Sequence, residues 1–264
     1  MTIHEIADLL RNDGRVTLNH AGHSLTLDLA YRHEKLYAAK LLTGLAYPQA
    51  DIDTMLINRF VRPGDRVLDA GANIGFTALE FIAAGADHVT AMEPVFELAQ
   101  RLDTLQSDRL LPLKQAIGAV EGSAEIFVSE AHNQGSSLNE AIKDLFPTLF
   151  GIRTETVDIT TVDALAQAGA IFDIWKLDIE GAEADALKGA CATLIDSPPR
   201  AIIAELYEPF LPDFLQALPD TFSFRRRAYL SEAGYELLLV PIDRAPVVPI
   251  HLHSPMYVFA LEDH

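Results

Sequence analysis

With 264 residues the chain is long enough to bury one large core, and nothing in its composition marks a linker between two independent domains. Lys and Arg total 20 against 38 Asp and Glu, a formal charge of -18 that repels a phosphate backbone at long range and argues against a nucleic-acid substrate. No apolar run approaches the roughly 20 residues of a membrane span, and the start Met1 to Glu5 lacks the basic-then-apolar order of a signal peptide, so the expectation is a cytoplasmic protein without a membrane partner.

Thr2 and Glu5 have capping-box spacing ahead of Ile6, Leu9 and Leu10, with Gly14 as the stop, which predicts a short amphipathic helix. Val16, Leu18, Leu25, Leu27 and Leu29 alternate with polar residues around Ala21-Gly22, the pattern of a β-hairpin with one buried face. Helical periodicity returns over Arg32 to Leu42 and again over Ala50 to Phe60. Residues 1–60 therefore read as a helix and hairpin extension that caps the remainder, 61–264.

Pro63-Gly64-Asp65 then turns the chain into Arg66-Val67-Leu68-Asp69-Ala70-Gly71-Ala72-Asn73-Ile74-Gly75-Phe76-Thr77: an apolar strand, an acid at its end, and a glycine turn opening a helix. In an open α/β sheet, ligands bind outside the carboxyl ends of the strands. A dinucleotide site asks for G-x-G-x-x-G, whereas this turn offers only Gly71 and Gly75, and Asp69 would set a carboxylate beside any phosphate. A cofactor with an ammonium and a sulfonium and no phosphate is attracted by that carboxylate instead, and S-adenosylmethionine fits the description. After a helix over Phe76 to Ala84, the apolar strand His88 to Met92 ends in Glu93, about 20 residues past the turn, where carboxylates commonly hold ribose hydroxyls. The plainer alternative is a tight turn at Gly71 and Gly75, with Glu93 capping the helix from Val95.

The helix Val95 to Leu105 and the strand Leu111 to Gln115 continue the β-α-β alternation that implies a parallel sheet. Ala119 to Val128 and Thr154 to Thr160 alternate like strands around a long polar insertion. Asp173-Ile174-Trp175-Lys176-Leu177-Asp178 is a buried-strand run ending in acid, and Ile179 to Glu183 turns it into a helix over Ala184 to Leu194. Cys191, the only cysteine, sits at helical spacing with Leu187 and Leu194 and reads as a buried small side chain. Ala201 to Ala204 is a further strand ending at Glu205, and Tyr235 to Val240 and Pro255 to Leu261 close a sheet of about seven strands. Arg225-Arg226-Arg227 reads as a solvated or ion-paired face.

The stretch VLDAGANIGFTALEF at Val67 to Phe81 and KLDIEGAE at Lys176 to Glu183, with Gln115 to Gly118 and Gly135 to Leu138 between them, resembles class I methyltransferases, and more narrowly the FkbM family. The resemblance covers roughly Tyr47 to Leu206. It implies a Rossmann-like α/β fold with a mostly parallel sheet flanked by helices, S-adenosylmethionine as cofactor, and methylation of a hydroxyl on a sugar, polyketide or other natural product. It further implies that Asp69, Gly71, Asn73 and Gly75 line the methionine end of the cofactor, that Glu93 holds its ribose, and that Gln115 and Ala116 border the adenine. Thr77 stands where its hydroxyl reaches either the cofactor carboxylate or a helix carbonyl.

Methyl transfer to oxygen is an in-line displacement whose main demand is alignment of the hydroxyl, with a base needed where that hydroxyl is weakly acidic. Asp178, at the carboxyl end of its strand, is the leading candidate for base or substrate anchor, against the plainer reading of a helix cap. Glu205 ends the next strand, with Tyr207 on the same face, and Lys176 shares the face of Asp178 and pairs with it. His132, His251 and His253 are weaker candidates for a base. Asp178, Glu180, Glu183 and Glu205 invite a divalent cation, but no fixed ligand spacing supports a cage, so metal-free transfer is expected. Two competing readings stay open: an NAD-dependent oxidoreductase, and a protein that keeps the pocket without turnover. A small hydroxylated acceptor and a homo-oligomer complete the expected partners.

Overall fold

The computed structural model describes residues 1–129, 135–147, 153–231, 235–246 and 254–262. Thr2 caps the helix Ile3–Leu9, and Thr2 and Glu5 exchange the two bonds of the capping box. The hairpin Arg15–His20 and His23–Asp28 forms a two-stranded sheet of its own. The helices Arg32–Thr43 and Pro48–Phe60 follow. Leu25, Leu27, Leu36, Ile52 and Leu56 pack into the same apolar cluster as Val67 and Phe81, so this N-terminal part is seated directly on the central sheet.

That sheet has eight strands, in the order Leu237–Pro241, Phe224–Leu230, Met256–Ala260, Ala201–Glu205, Ile174–Leu177, Arg66–Ala70, His88–Met92, Leu110–Leu113. The last five in this order are mutually parallel, and the first three are antiparallel additions at one edge. From Arg66–Ala70 the chain winds outward through His88–Met92 to Leu110–Leu113, then returns to Ile174–Leu177 on the other side. The order therefore reverses between Arg66–Ala70 and Ile174–Leu177, and a crevice opens at such a point beyond the strand ends. Ala116–Ile117, Gly122–Phe127 and Thr154–Thr160 form a separate three-stranded sheet, which is where the simple alternation was interrupted in the sequence.

Side chains alternate across the sheet. Leu68, Trp175, Ile202 and Ala204 pack into one cluster, and Val67, Ile174, Ala201 and Ile203 into the other, beneath the N-terminal helices. Asp69, Lys176 and Glu205 continue the second series, so three polar side chains end up on the face that the N-terminal helices cover.

Three expectations need correction. The sheet has an eighth strand, Phe224–Leu230, hidden in the sequence by its arginine run. Arg227 on it is buried and ion-paired with Glu208, Arg225 pairs with Asp220, and Arg226 lies over the Phe224 ring at 4.3 Å, so the ion-paired reading of that run holds, with Arg227 alone of the three buried. The helix expected over Ala184 to Leu194 is two helices, Glu183–Lys188 and Cys191–Asp196. A Cβ at Gly189 between them would overlap the carbonyl oxygen of Gly118, so only glycine fits at the break. Cys191 is exposed rather than buried.

Candidate active site

Two glycine-rich turns meet at the strand-order reversal. Asp178 donates its backbone N–H to the Ala70 carbonyl at 3.1 Å, and Gly71 and Ala72 donate theirs to Met92, so the ends of three adjacent strands are tied together. Gly71 has φ +85°, and a Cβ there would overlap the backbone carbonyl oxygen of Asp178, so only glycine fits. Gly75, with φ +87°, answers a different demand: its Cβ would run into the Leu102 and Leu105 side chains. Asn73 and Glu180 hold positive φ without being glycine, at +52° and +56°, a strained arrangement typical of functional turns.

Two cavities open around these turns. The smaller, about 550 Å³ with its mouth included, is lined by Gly71, Asn73, Glu93, Gln115, Ala116 and Ser136, and by the apolar Met92, Leu98, Ile117 and Ile126. The larger, about 1180 Å³, is lined by Gly71, Asn73, Thr77, Lys176, Asp178, Glu180, Glu205 and Tyr207 on the sheet side, and by Tyr37, Tyr47, Gln49 and Asp53 from the N-terminal helices. Gly71, Asn73, Asp178 and Glu180 border both. An elongated ligand can therefore lie with a flat apolar end in the first and a polar end in the second.

Glu93 accepts the Asn73 N–H at 3.0 Å and the Val95 N–H at 2.9 Å, one on each oxygen, so it fixes both neighbouring loops while bordering the smaller cavity. Each oxygen keeps acceptor capacity for a further donor such as a ribose hydroxyl. Burial pushes its carboxyl up to about 7, against the pull of those two backbone bonds. Asp69 is fully buried and lines neither cavity. Its Oδ2 accepts from the Thr77 hydroxyl at 3.3 Å, which settles what Thr77 bonds in this state, and its Oδ1 has no partner. Burial pushes Asp69 up to about 6. An orphaned carboxylate oxygen behind the glycine turn, an acid bordering the adjoining cavity and an apolar slot beside it suit a cofactor with an ammonium, a ribose and a flat base.

On the other side of the junction lies an acidic network. Lys176, fully buried, donates from Nζ to Asp178 Oδ2 at 2.6 Å. Burial would lower Lys176, but Asp178, Asp53 and Asp69 raise it, so it stays charged. Burial would likewise raise Asp178, but the Lys176 ammonium and a hydrogen bond from Glu205 hold it below the usual carboxylate range. Burial, with Asp178 and Glu180 beside it, raises Glu205 well above that range, which favours Glu205 as the donor in its hydrogen bond with Asp178. Glu180 is raised by burial and by Asp178, and the Tyr207 hydroxyl donates to its Oε2 at 3.0 Å while standing 3.4 Å from Glu205 Oε1. Glu183, in contrast, is spent on the turn, accepting the N–H groups of Ile179 and Gly181. Among the described residues no group of three or more His, Cys, Asp or Glu side chains is placed to hold a metal ion.

Of the residues singled out in the sequence, Gly71, Asn73, Glu93, Gln115 and Ala116 border the smaller cavity, and Thr77, Lys176, Asp178 and Glu205 the larger. Gly75 stands outside both linings, and His132, His251 and His253 lie outside the described residues. Sequence reasoning missed Asp53, Tyr37, Tyr47 and Gln49. The one available signal was Gln49 and Asp53 at i, i+4 spacing, which sets two polar groups on one helix face.

A mostly parallel sheet with acid-ended strands and a glycine turn at its reversal point defines a Rossmann-like class I methyltransferase. The family model "Methyltransferase FkbM domain" matches residues 69–237, and the chain belongs to that family, a membership that implies S-adenosylmethionine as cofactor and leaves the dinucleotide reading without support. Similar solved structures include an FkbM methyltransferase from Methylobacillus flagellatus KT, 16% identical, with a TM-score of 0.48 over 88% of this chain and 53% of that one. Another is a SAM-dependent methyltransferase from Agrobacterium tumefaciens, 10% identical, with a TM-score of 0.45 over 97% of this chain and 72% of that one. The chain thus spans about half the length of the Methylobacillus protein. No curated protein matches the sequence. Among the described residues no helix is long and apolar enough to cross a membrane.

Proposed function

We propose that the protein transfers a methyl group from S-adenosylmethionine to a hydroxyl of a small molecule, without a metal. The observation that carries this reading is the junction at Gly71, Asn73, Asp178 and Glu180, where an apolar slot opens into a second, polar cavity. Bound S-adenosylmethionine supplies an electrophilic methyl group and a good leaving group. The chain's own residues supply alignment and proton handling.

In this reading the backbone around Gly71 and Asn73 holds the amino-acid end, with Asp69 acting on it through its charge from behind the turn, Glu93 holds the ribose, and Gln115 and Ala116 border the base. Asp178 accepts the hydrogen bond of the incoming hydroxyl. Its ionised state is secured by Lys176, and a carboxylate so stabilised orients the hydroxyl and takes its proton late, as the oxygen loses electron density. The hydrogen bond between Glu205 and Asp178 fixes the direction of that carboxylate, and the Tyr207 hydroxyl, 3.4 Å from Glu205 Oε1, in turn positions Glu205. The walls contributed by Tyr37, Tyr47 and Phe146 narrow the acceptor cavity.

The test is incubation of the protein with methyl-labelled cofactor and a panel of hydroxylated metabolites, scored by mass spectrometry for a methyl ether. Transfer to oxygen, lost in Asp178→Asn with cofactor binding retained, supports the reading. Cofactor binding with no transfer across the panel favours a pocket without turnover, and methylation of nitrogen or carbon replaces the acceptor class.

A further inference from the structure

Tyr37, Tyr47 and Asp53 all precede the region matched by the family model, yet they form one wall of the larger cavity. Their chemistry is specific. Of the described residues lining this cavity, Lys176 is the one with a cationic side chain, against the four acids Asp53, Asp178, Glu180 and Glu205. Lys176 is already bonded to Asp178 at 2.6 Å.

Asp53 stands apart within that set. Asp178 is engaged by Lys176 and Glu205, and Glu180 by Tyr207, whereas Asp53 Oδ1 is buried and has no hydrogen-bond partner. An unpaired carboxylate oxygen at a cavity wall is costly unless a ligand donor completes it. Burial, reinforced by Asp178 and Asp69 nearby, pushes the group up to about 7 even against the pull of the Lys176 ammonium, which is bonded to Asp178. In the lining of the same cavity, the Tyr37 and Tyr47 rings meet edge to face with centroids 5.8 Å apart, and Phe76 stacks on Tyr37 at 4.1 Å. Aromatic faces next to a lone carboxylate are the combination that stabilises an ammonium group, through ring quadrupoles and one ion pair.

We propose that the acceptor is an amino alcohol whose protonated amine is seated between Asp53 and the Tyr37–Tyr47 ring pair while its hydroxyl meets Asp178. This rests on the methyl-transfer reading and narrows it to amine-bearing hydroxylated molecules. The long-range field of a chain with net charge -18 favours the same class on approach.

The test compares trans-4-aminocyclohexanol with trans-1,4-cyclohexanediol, which differ only in the ammonium, binding to protein saturated with S-adenosylhomocysteine at about pH 8, where both Asp53 and the amine are charged. The amine is expected to bind about tenfold more tightly than the diol. Asp53→Asn is expected to abolish that preference while leaving diol affinity and S-adenosylhomocysteine affinity unchanged. Equal binding of the two probes, failure of the amine to bind, or a preference that survives Asp53→Asn overturns the proposal. Should the variant not fold, the wild-type preference must fade between about pH 8 and pH 5.5 as Asp53 takes up its proton, and a preference persisting at the lower pH overturns it equally. Failure of S-adenosylhomocysteine itself to bind would instead remove the methyl-transfer reading.

Discussion

Gly71 and Asp178 are in backbone contact across the reversal point of the sheet: the missing side chain of the first is replaced by the carbonyl oxygen of the second. That contact joins the turn expected to hold the cofactor to the turn expected to hold the acceptor, and it fixes how far apart the two reactants can be.

Gly71→Ala is therefore expected to cost more than the roughly 1–3 kcal/mol of a non-glycine residue at positive φ, because the new methyl group also forces the two turns apart. Gly22→Ala is the matched control, with φ +86° and nothing within 4 Å of its Cβ, and its cost should stay inside that range of about 1–3 kcal/mol. Urea unfolding measures both. Calorimetry should show cofactor binding weakened in the first variant alone.

Lys176 and Asp178 stand in a buried pair, so removing one member is worse than removing both. Lys176→Met should destabilise the protein by about 3–5 kcal/mol, toward the lower figure because the Asp178 side chain retains 25% exposure. Lys176→Met combined with Asp178→Leu should recover most of that loss in urea unfolding. A double variant as unstable as the single one would show that Lys176 acts through Asp53 or Asp69 instead.

Asp178→Asn keeps the shape and removes the charge. If Asp178 orients and deprotonates the acceptor, kcat should fall by about 10²–10⁴-fold, while the cofactor Kd changes by no more than a few-fold. A drop in cofactor affinity with unchanged kcat would place Asp178 on the cofactor side of the junction.

Much of this site was readable because its residues end apolar runs. Asp69, Glu93, Asp178 and Glu205 each follow two or more residues of buried strand, and a strand ending in acid announces both the sheet and its functional edge. Asp53 gave no such signal. It sits among the polar positions of an amphipathic helix, where solvent exposure is the default, and only the docking of that helix onto the sheet places it in the cavity wall. The burial of Arg227 was hidden in the same way: a triple arginine reads equally as solvated or ion-paired until Glu208 and the rings of Tyr229 and Tyr257, each 5.4 Å away, are known to surround it. Local pattern reports a residue's own element. It is silent on what another element will bring against it.

The buried acids also predict an unusual pH dependence of stability. Asp53 and Asp69 are raised from 3.8 to about 7 and about 6, and Glu80, Glu93 and Glu183 from 4.5 to about 8, about 7 and about 7, each mainly by burial. In these groups the folded protein holds protons that the unfolded chain releases, so stability falls as pH rises from about 4 to about 8. His20 opposes the trend: burial lowers it from 6.5 to about 4, so its contribution is complete above 6.5 and lost as pH falls toward 4. Asp178, held low by Lys176, opposes it only at the acid end. Five raised acids outweigh one histidine, and the cofactor-free protein should melt at a higher temperature near pH 5.5 than near pH 8. S-adenosylmethionine should narrow that gap, because its cationic groups favour ionised carboxylates at the site, and a thermal-shift series with and without cofactor measures both effects. A cofactor-free melting temperature that rises steadily to pH 8 would mean that water or a rearrangement relieves the buried charges.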